Sequence, residues 1–143
     1  MATAVMVRML GGEQQIGRPI NATSDFIDVV RQGFTYQSFV SFVTEMALSK
    51  EKVVKAIALV PRTISRRKGD KRLTTAESDR LYRLVHIAAK AEEVFGTTDK
   101  ASKWLVHSNR ALNNSMPLEL LDTDEGTRQV EAVLGRLEHG VFS

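Results

Sequence analysis

The feature that most constrains the fold is a pair of short helix patterns within residues 49–68. From Val53 to Val60, apolar residues recur at i, i+3, i+4 and i+7, which is the spacing of one buried helix face. After a break, Pro61 suits the first turn of a second helix because its missing N–H needs no partner there, and Gly69 can end that helix. Two short helices joined in this way are typical of a helix-turn-helix.

Charge is distributed unevenly along the chain, although the net charge is only +3. Residues 62–72 carry six basic side chains against one acidic side chain, whereas residues 113–143 carry six acidic against two basic ones. The second helix of the motif therefore attracts polyanions, and the C-terminal end repels them. The alternative interpretation is a basic, solvent-exposed helix between two helices of a bundle.

Composition limits the class of protein. A length of 143 residues with 43% hydrophobic content suits one ordinary domain or two small ones that share a core. No cysteine is present, so disulfides, thiolate metal sites and thiol catalysis are excluded. Arg8 interrupts the apolar N-terminus, and no apolar run reaches membrane-spanning length. We therefore expect a soluble, cytoplasmic protein without a membrane partner.

The N-terminal half is predicted to hold two segments of an all-α protein. Residues 1–20 show no helical period and are predicted to be an irregular arm, with a short extended piece over 4–10. Residues 21–74 are predicted to form the helix-turn-helix domain. Within it, one helix begins at Ser24-Asp25, and the main core helix covers residues 36–48.

A long helix is predicted over residues 75–95, followed by a small helical domain over residues 96–143. Thr74 and Glu77 have the spacing of a capping box, and Gly96 can end the helix. At about 1.5 Å per residue, this helix would be about 30 Å long and would join both halves. In the last domain, Asp122 and Glu125 repeat the capping-box spacing ahead of the final helix.

Residues 95–140 contain many positions with a common family spacing. These are Phe95-Gly96, Ala101, Trp104-Leu105, Asn109, Ala111-Leu112, Pro117, Leu120-Leu121, Asp122-Thr123, Glu125-Gly126, Val130, Leu134 and Gly140. In this pattern the chain resembles the toxin-binding domain of Xre-type (MbcA/ParS-like) antitoxins, which pair with RES-domain toxins. The helix-turn-helix is similar to that of the same family, so the resemblance covers residues 34–140. Family members usually carry glycine where this chain has Ala58.

The resemblance implies an antitoxin that binds operator DNA and represses its own toxin–antitoxin gene pair. Side chains near the start of the second helix are the candidates for contacts with base edges, namely Arg62, Thr63 and Ser65. Basic side chains that can neutralise phosphates follow, namely Arg66, Arg67, Lys68, Lys71 and Arg72. A single small motif binds weakly, so we expect a homodimer on two half-sites about one DNA turn apart.

The second implied function is neutralisation of a RES-domain toxin, which in this family degrades NAD. The resemblance implies that the last helix and the tail supply the contacts, with Arg136, Glu138, His139, Val141 and Phe142 as the candidate toxin-binding residues. The apolar positions of that helix are interpreted as core.

We expect no catalysis, no cofactor and no metal site in this chain. His86, His107 and His139 are far apart and lack metal-ligand spacing. One other function stays open from the sequence. The chain could be a stand-alone helix-turn-helix transcriptional regulator whose C-terminal domain dimerises or binds a ligand.

Overall fold

The other elements of the chain are arranged around one helix of 21 residues. The structure is a computed structural model that describes residues 2–59 and 72–140. In chain order its helices are α1 (Ala2–Met9), α2 (Glu13–Ile16), α3 (Phe26–Gln32), α4 (Tyr36–Glu45), α5 (Lys50–Ala56), α6 (Thr75–Phe95), α7 (Thr98–Leu105) and α8 (Asp124–Glu138). Short 3-10 turns lie at Thr23–Asp25, Arg110–Leu112 and Pro117–Leu120. No strand forms in the described residues, and the all-α prediction is confirmed.

Helix α6 has the predicted bounds because its own residues close both ends. The hydroxyl oxygen of Thr74 accepts a hydrogen bond from the amide of Glu77 (3.1 Å), and the Glu77 carboxylate accepts one from the amide of Thr74 (2.8 Å). This reciprocal pair satisfies two amides that a helix start leaves unpaired. Gly96 ends the helix in the left-handed conformation, with φ of 91°.

The N-terminal segment is helical, so the prediction of an irregular arm with an extended piece is wrong. In α1 and just after it, Met6, Met9 and Leu10 are fully buried, and α1 packs against α4 and α6. An eight-residue helix is too short to be stable alone. Tertiary packing therefore determines its conformation. The glycine pair that follows the segment makes this helix difficult to predict from the sequence.

Two smaller details also differ from the predictions. Helix α4 ends at Glu45, short of the predicted residue 48, because Ala47 turns the chain with a φ of 51°. Helix α8 is capped by Thr123 and not by Asp122: the Thr123 hydroxyl accepts a hydrogen bond from the amide of Gly126 (3.0 Å). A hydroxyl at this position satisfies the same unpaired amide as a carboxylate would.

Helix α6 contributes to the packing of both halves of the chain. Towards its start, Tyr82 packs on Phe26 of α3, with ring centroids 5.3 Å apart. At its end, Phe95 packs on Trp104 of α7, with ring centroids 5.5 Å apart. The inward-facing residues between them, such as Leu84 and Ala88, are fully buried. The helix therefore links the helix-turn-helix half to the C-terminal half through continuous apolar packing.

Candidate functional site

Helix α5 and the turn after it correspond to the first part of the predicted helix-turn-helix. The Ser49 hydroxyl accepts a hydrogen bond from the amide of Lys52 (3.3 Å) and begins α5. At the turn, Ala58 has a φ of 54°, and the amide of Leu59 donates to the carbonyl of Val54 (2.9 Å). The turn thus uses the positive φ that glycine adopts freely, and alanine there costs on the order of 1 kcal/mol.

The chain is also held by the core just after residues 60–71, where the described residues resume. The amide of Leu73 donates to the carbonyl of Phe34 (2.8 Å), and Leu73 is buried. The amide of Phe34 in turn donates to the Ser78 hydroxyl (2.8 Å) inside the core. The described residues on either side of residues 60–71 are therefore anchored in one apolar core, because Leu59 is buried as well.

Most of the predicted DNA-binding residues lie outside the described residues. These are Arg62, Thr63, Ser65, Arg66, Arg67, Lys68 and Lys71. Arg72 is described: it pairs as an isolated bridge with Thr35, and its guanidinium donates to the carbonyl of Gly33 (3.0 Å). Arg72 therefore lies at the base of the predicted DNA-reading segment and is oriented by the protein.

The start of α8 is fixed by close backbone packing. Gly126 lies against the 3-10 turn Pro117–Leu120, and a Cβ there would come within 1.9 Å of the carbonyl oxygen of Leu120. From this point Val130 and Leu134 turn into the core and are fully buried. The interpretation of these two positions as core is confirmed, and the opposite side of α8 faces solvent.

Three of the predicted toxin-binding residues lie at the C-terminal end of α8 or directly after it. Arg136, Glu138 and His139 are all exposed there. Val141 and Phe142 lie outside the described residues. The three described side chains thus present a cation, an anion and an imidazole to solvent around the end of this helix.

A polar cluster joins α1 to both halves of the molecule. The Arg8 guanidinium contacts the carboxylates of Glu92 on α6 (2.6 Å) and Glu45 on α4 (3.3 Å). Thr98, at the start of α7, also donates to Glu92. Burial disfavours the charged form of Glu92, but the hydrogen bonds from Arg8 and Thr98 outweigh it and lower the pKa of the carboxyl.

Two further features are absent from the described residues. Over residues 2–59 and 72–140, no group of three or more His, Cys, Asp or Glu side chains could hold a metal ion. None of the helices in these ranges is both long and apolar enough to cross a membrane.

Comparison with known proteins assigns each half of the chain to a domain family. The model of the antitoxin Xre-like helix-turn-helix domain matches residues 25–86, and that of the antitoxin Xre/MbcA/ParS C-terminal toxin-binding domain matches residues 90–140. An antitoxin Xre of Yersinia enterocolitica is 32% identical over 132 residues, which cover 91% of this chain and 89% of that protein. The chain belongs to the Xre antitoxin family.

Two further relatives align with different fractions of this chain. An antitoxin Xre of Pseudomonas putida is 43% identical over 76 residues, which cover 53% of this chain and 48% of that protein. A Prs ADP-ribosylating antitoxin of a Sphingobium species is 24% identical over 129 residues, which cover 83% of this chain and 81% of that protein. Both family domains support a toxin partner and DNA binding for this Xre-family antitoxin.

Sequence reasoning missed the contribution of α1 to the region between the two domains. Helix α1 precedes both matched domains, yet Arg8 contacts residues of each of them. A signal was present, because Met6, Met9 and Leu10 have the i, i+3, i+4 spacing of a helix face.

Proposed function

We propose that this antitoxin neutralises a RES-domain toxin that degrades NAD, and that it represses its own operon by binding operator DNA as a homodimer. In this proposal catalysis belongs to the toxin, and the antitoxin acts only by binding. The observation that carries the proposal is the division of α8 into a buried face, with Val130 and Leu134, and an exposed end, with Arg136, Glu138 and His139. These three side chains are available to a partner because they are exposed.

The toxin contact would consist of this exposed end together with the tail. We propose Arg136, Glu138, His139, Val141 and Phe142 as the contacting residues. Binding energy at protein interfaces concentrates in a few aromatic and arginine side chains that fill pockets of the partner. Phe142 and Arg136 are therefore the expected anchors, and Glu138 and His139 would add polar contacts around them.

The identity of the toxin's substrate is supported by one relative. The name of the Sphingobium relative refers to ADP-ribosylation. ADP-ribose is the part of NAD that such a reaction transfers, so this name and the NAD-degrading RES toxins implicate the same cofactor. We propose that the partner of this chain consumes NAD as well.

The DNA-binding proposal is supported by how the motif is anchored. The chain enters the reading segment after the buried Leu59 and leaves it before the buried Leu73. We propose that Arg62, Thr63 and Ser65, which lie between these two anchors in the sequence, contact base edges. The basic side chains from Arg66 to Arg72 would neutralise phosphates on either side.

The DNA role is tested by replacing Arg66 and Arg67 with alanine and titrating the DNA upstream of the gene pair at several salt concentrations. We expect weaker binding and a salt dependence that is smaller by about 0.9 for each phosphate that the variant no longer neutralises. Replacing Arg110 and Arg128, which are exposed in the C-terminal half, removes the same charge and should leave the salt slope almost unchanged. Unchanged affinity of the Arg66/Arg67 variant would contradict the proposal.

A further inference from the structure

A cavity of about 280 Å³ lies where the two halves of the chain meet. It is bordered by α5 and by the 3-10 turn Pro117–Leu120, which pack against each other. The described residues that line it are of three kinds, namely the basic Lys52 and Lys55, the acidic Glu119 and Asp122, and the apolar Ala56, Met116 and Leu118. None of them is among the residues proposed to contact DNA or toxin, so neither proposal accounts for the cavity.

The charged side chains of the cavity come from two separate elements. Lys52 and Lys55 are three residues apart on α5, so they lie on the same side of that helix. Glu119 lies in the 3-10 turn, and Asp122 follows it. Within the described part of the chain, none of these four side chains takes part in an ion pair. Two ammonium groups and two carboxylates therefore line one cavity without neutralising each other.

The shape of the cavity is fixed by the fold before a ligand binds. The Glu119 carboxylate accepts a hydrogen bond from the amide of Met116 (3.0 Å), which closes the 3-10 turn and uses one of the two carboxylate oxygens. Leu118 of the turn and Ala56 of α5 are both buried, so each side of the cavity is anchored in the core. A preformed site binds a ligand with only a small loss of conformational freedom.

We propose that this cavity binds a nucleoside diphosphate. The two carboxylates would repel a bare polyanion, and the two lysines would repel a bare cation. The ligand must therefore combine anionic groups with neutral hydrogen-bond donors. In a nucleoside 5′-diphosphate, the phosphates and the ribose 2′- and 3′-hydroxyls leave opposite sides of the sugar. This arrangement matches a cavity that takes its cations from one element and its carboxylates from another.

Each group of such a ligand has a matching group in the cavity. Lys52 and Lys55 would bind the two phosphates through charge-assisted hydrogen bonds. Asp122 and the second carboxylate oxygen of Glu119 would accept hydrogen bonds from the ribose hydroxyls, as acidic side chains do in dinucleotide-binding folds. The half-buried Met116 would lie against the base, because a thioether makes favourable contacts with aromatic rings.

The volume of the cavity suits one nucleotide. Small-molecule sites usually enclose about 300–1,000 Å³, so a cavity of about 280 Å³ suits a single nucleotide better than a dinucleotide. Free ADP supplies the required groups, and so does the ADP half of ADP-ribose or NAD with the remainder in solvent. The ligand would contact both matched domains, because Lys52 and Lys55 lie within residues 25–86 and Asp122 lies within residues 90–140.

The test is calorimetric titration of the full chain with ADP. Binding should weaken about tenfold or more when Lys52 and Lys55 are both replaced by glutamine, because the phosphates lose their charged partners. Lys100 and Lys103 on α7 have the same spacing, so replacing both by glutamine removes the same charge and should leave the affinity unchanged. All four lysines are exposed, so both variants should fold, which circular dichroism checks.

Matched ligands separate the contributions of the other contacts. Adenosine lacks the phosphates and should bind about tenfold more weakly than ADP, or more weakly still. The 2′,3′-dideoxy form of ADP lacks the ribose hydroxyls and should bind several-fold more weakly than ADP. Asp122→Asn should weaken the binding of ADP but not that of the dideoxy form, because the hydroxyls that Asp122 would bind are then absent.

The inference is overturned if ADP does not bind at millimolar concentration, if adenosine binds as tightly as ADP, or if the two pairs of lysine replacements have equal effects. Affinities in the predicted order support it. Tighter binding of ADP-ribose or NAD than of ADP also supports it and identifies the larger molecule as the ligand. These measurements use neither toxin nor operator DNA, so their outcome is independent of whether the toxin and DNA proposals hold.

Discussion

Helices α6 and α1 pack against each other, but they are stabilised in different ways. Helix α6 has 21 residues, a capping box formed by Thr74 and Glu77, and a glycine that ends it. Helix α1 has eight residues and no acidic side chain in its first turn. It is held by the burial of Met9 and its neighbours and by the contacts of Arg8. A long, capped helix forms from its own local signals, whereas a short one depends on its partners.

The largest effect is expected from Met9→Ala, which removes the packing that holds α1 in place. Met9 is fully buried between α1 and the rest of the core. Truncating a buried methionine removes apolar burial and leaves a cavity, so we expect a loss of about 2–5 kcal/mol in the free energy of unfolding. Urea denaturation followed by circular dichroism measures the loss.

Hydrogen exchange on the same variant shows which helices lose stability. The amides of α1 should exchange much faster in Met9→Ala, while those in the middle of α6 should stay among the slowest. A variant with an unchanged urea midpoint would mean that α1 contributes nothing to the fold, as expected of an irregular arm.

A smaller effect is expected from the polar contact between the two helices. Glu92 is only 13% exposed and Arg8 is 47% exposed, so solvent screens the pair only in part. Glu92→Gln should cost about 1–2 kcal/mol at pH 7. Because folding lowers the pKa of Glu92, its ionised form stabilises the folded state.

The direction in which this effect changes with pH follows from the lowered pKa of Glu92. The contribution is complete above the ordinary glutamate pKa of about 4.3 and is lost as the pH falls through the lower pKa of the folded state. The difference in unfolding free energy between the unmodified chain and Glu92→Gln should therefore shrink on acidification below about pH 4. A difference that grows on acidification would show that Glu92 is not stabilised as a carboxylate.

The same contrast explains how far the sequence predicts the fold. Helix α6 was predicted with its observed bounds because the signals at Thr74 and Gly96 are local. Helix α1 is not predicted because it is only eight residues long and Gly11-Gly12 follows it closely. The cap of α8 was placed one residue early, at Asp122, because Asp122 and Thr123 can both cap a helix and backbone geometry decides between them.

Surfaces of the molecule also differ in whether local sequence signals predict them. The exposed end of α8 can be predicted from one helix, because the spacing of Val130 and Leu134 defines the buried face and so the outer one. The apolar groove lined by Phe26, Ile27 and Tyr82 cannot, because it combines α3 with Tyr82, which is more than fifty residues further along the chain. Nothing local at Ile27 distinguishes it from a buried isoleucine.

Helix α1 also connects the two matched domains. Arg8 links Glu45, within the matched helix-turn-helix domain, to Glu92, within the matched toxin-binding domain. Ser102 of α7 adds a hydrogen bond to the carbonyl of Met46 (2.6 Å) at the end of α4. Because of these contacts, the two matched domains meet through packed side chains and not through a flexible linker.

Toxin neutralisation is tested most directly by the NAD content of cells that express the neighbouring toxin gene alone, with this antitoxin, or with its Phe142→Asp variant. We predict depletion of NAD with the toxin alone, full protection by the unmodified chain, and much weaker protection by the variant, which should still bind operator DNA. Deletion of residues 136–143 should abolish protection altogether. Unchanged NAD with the toxin alone, or full protection by the deleted chain, would contradict the proposal that the end of α8 neutralises an NAD-degrading toxin.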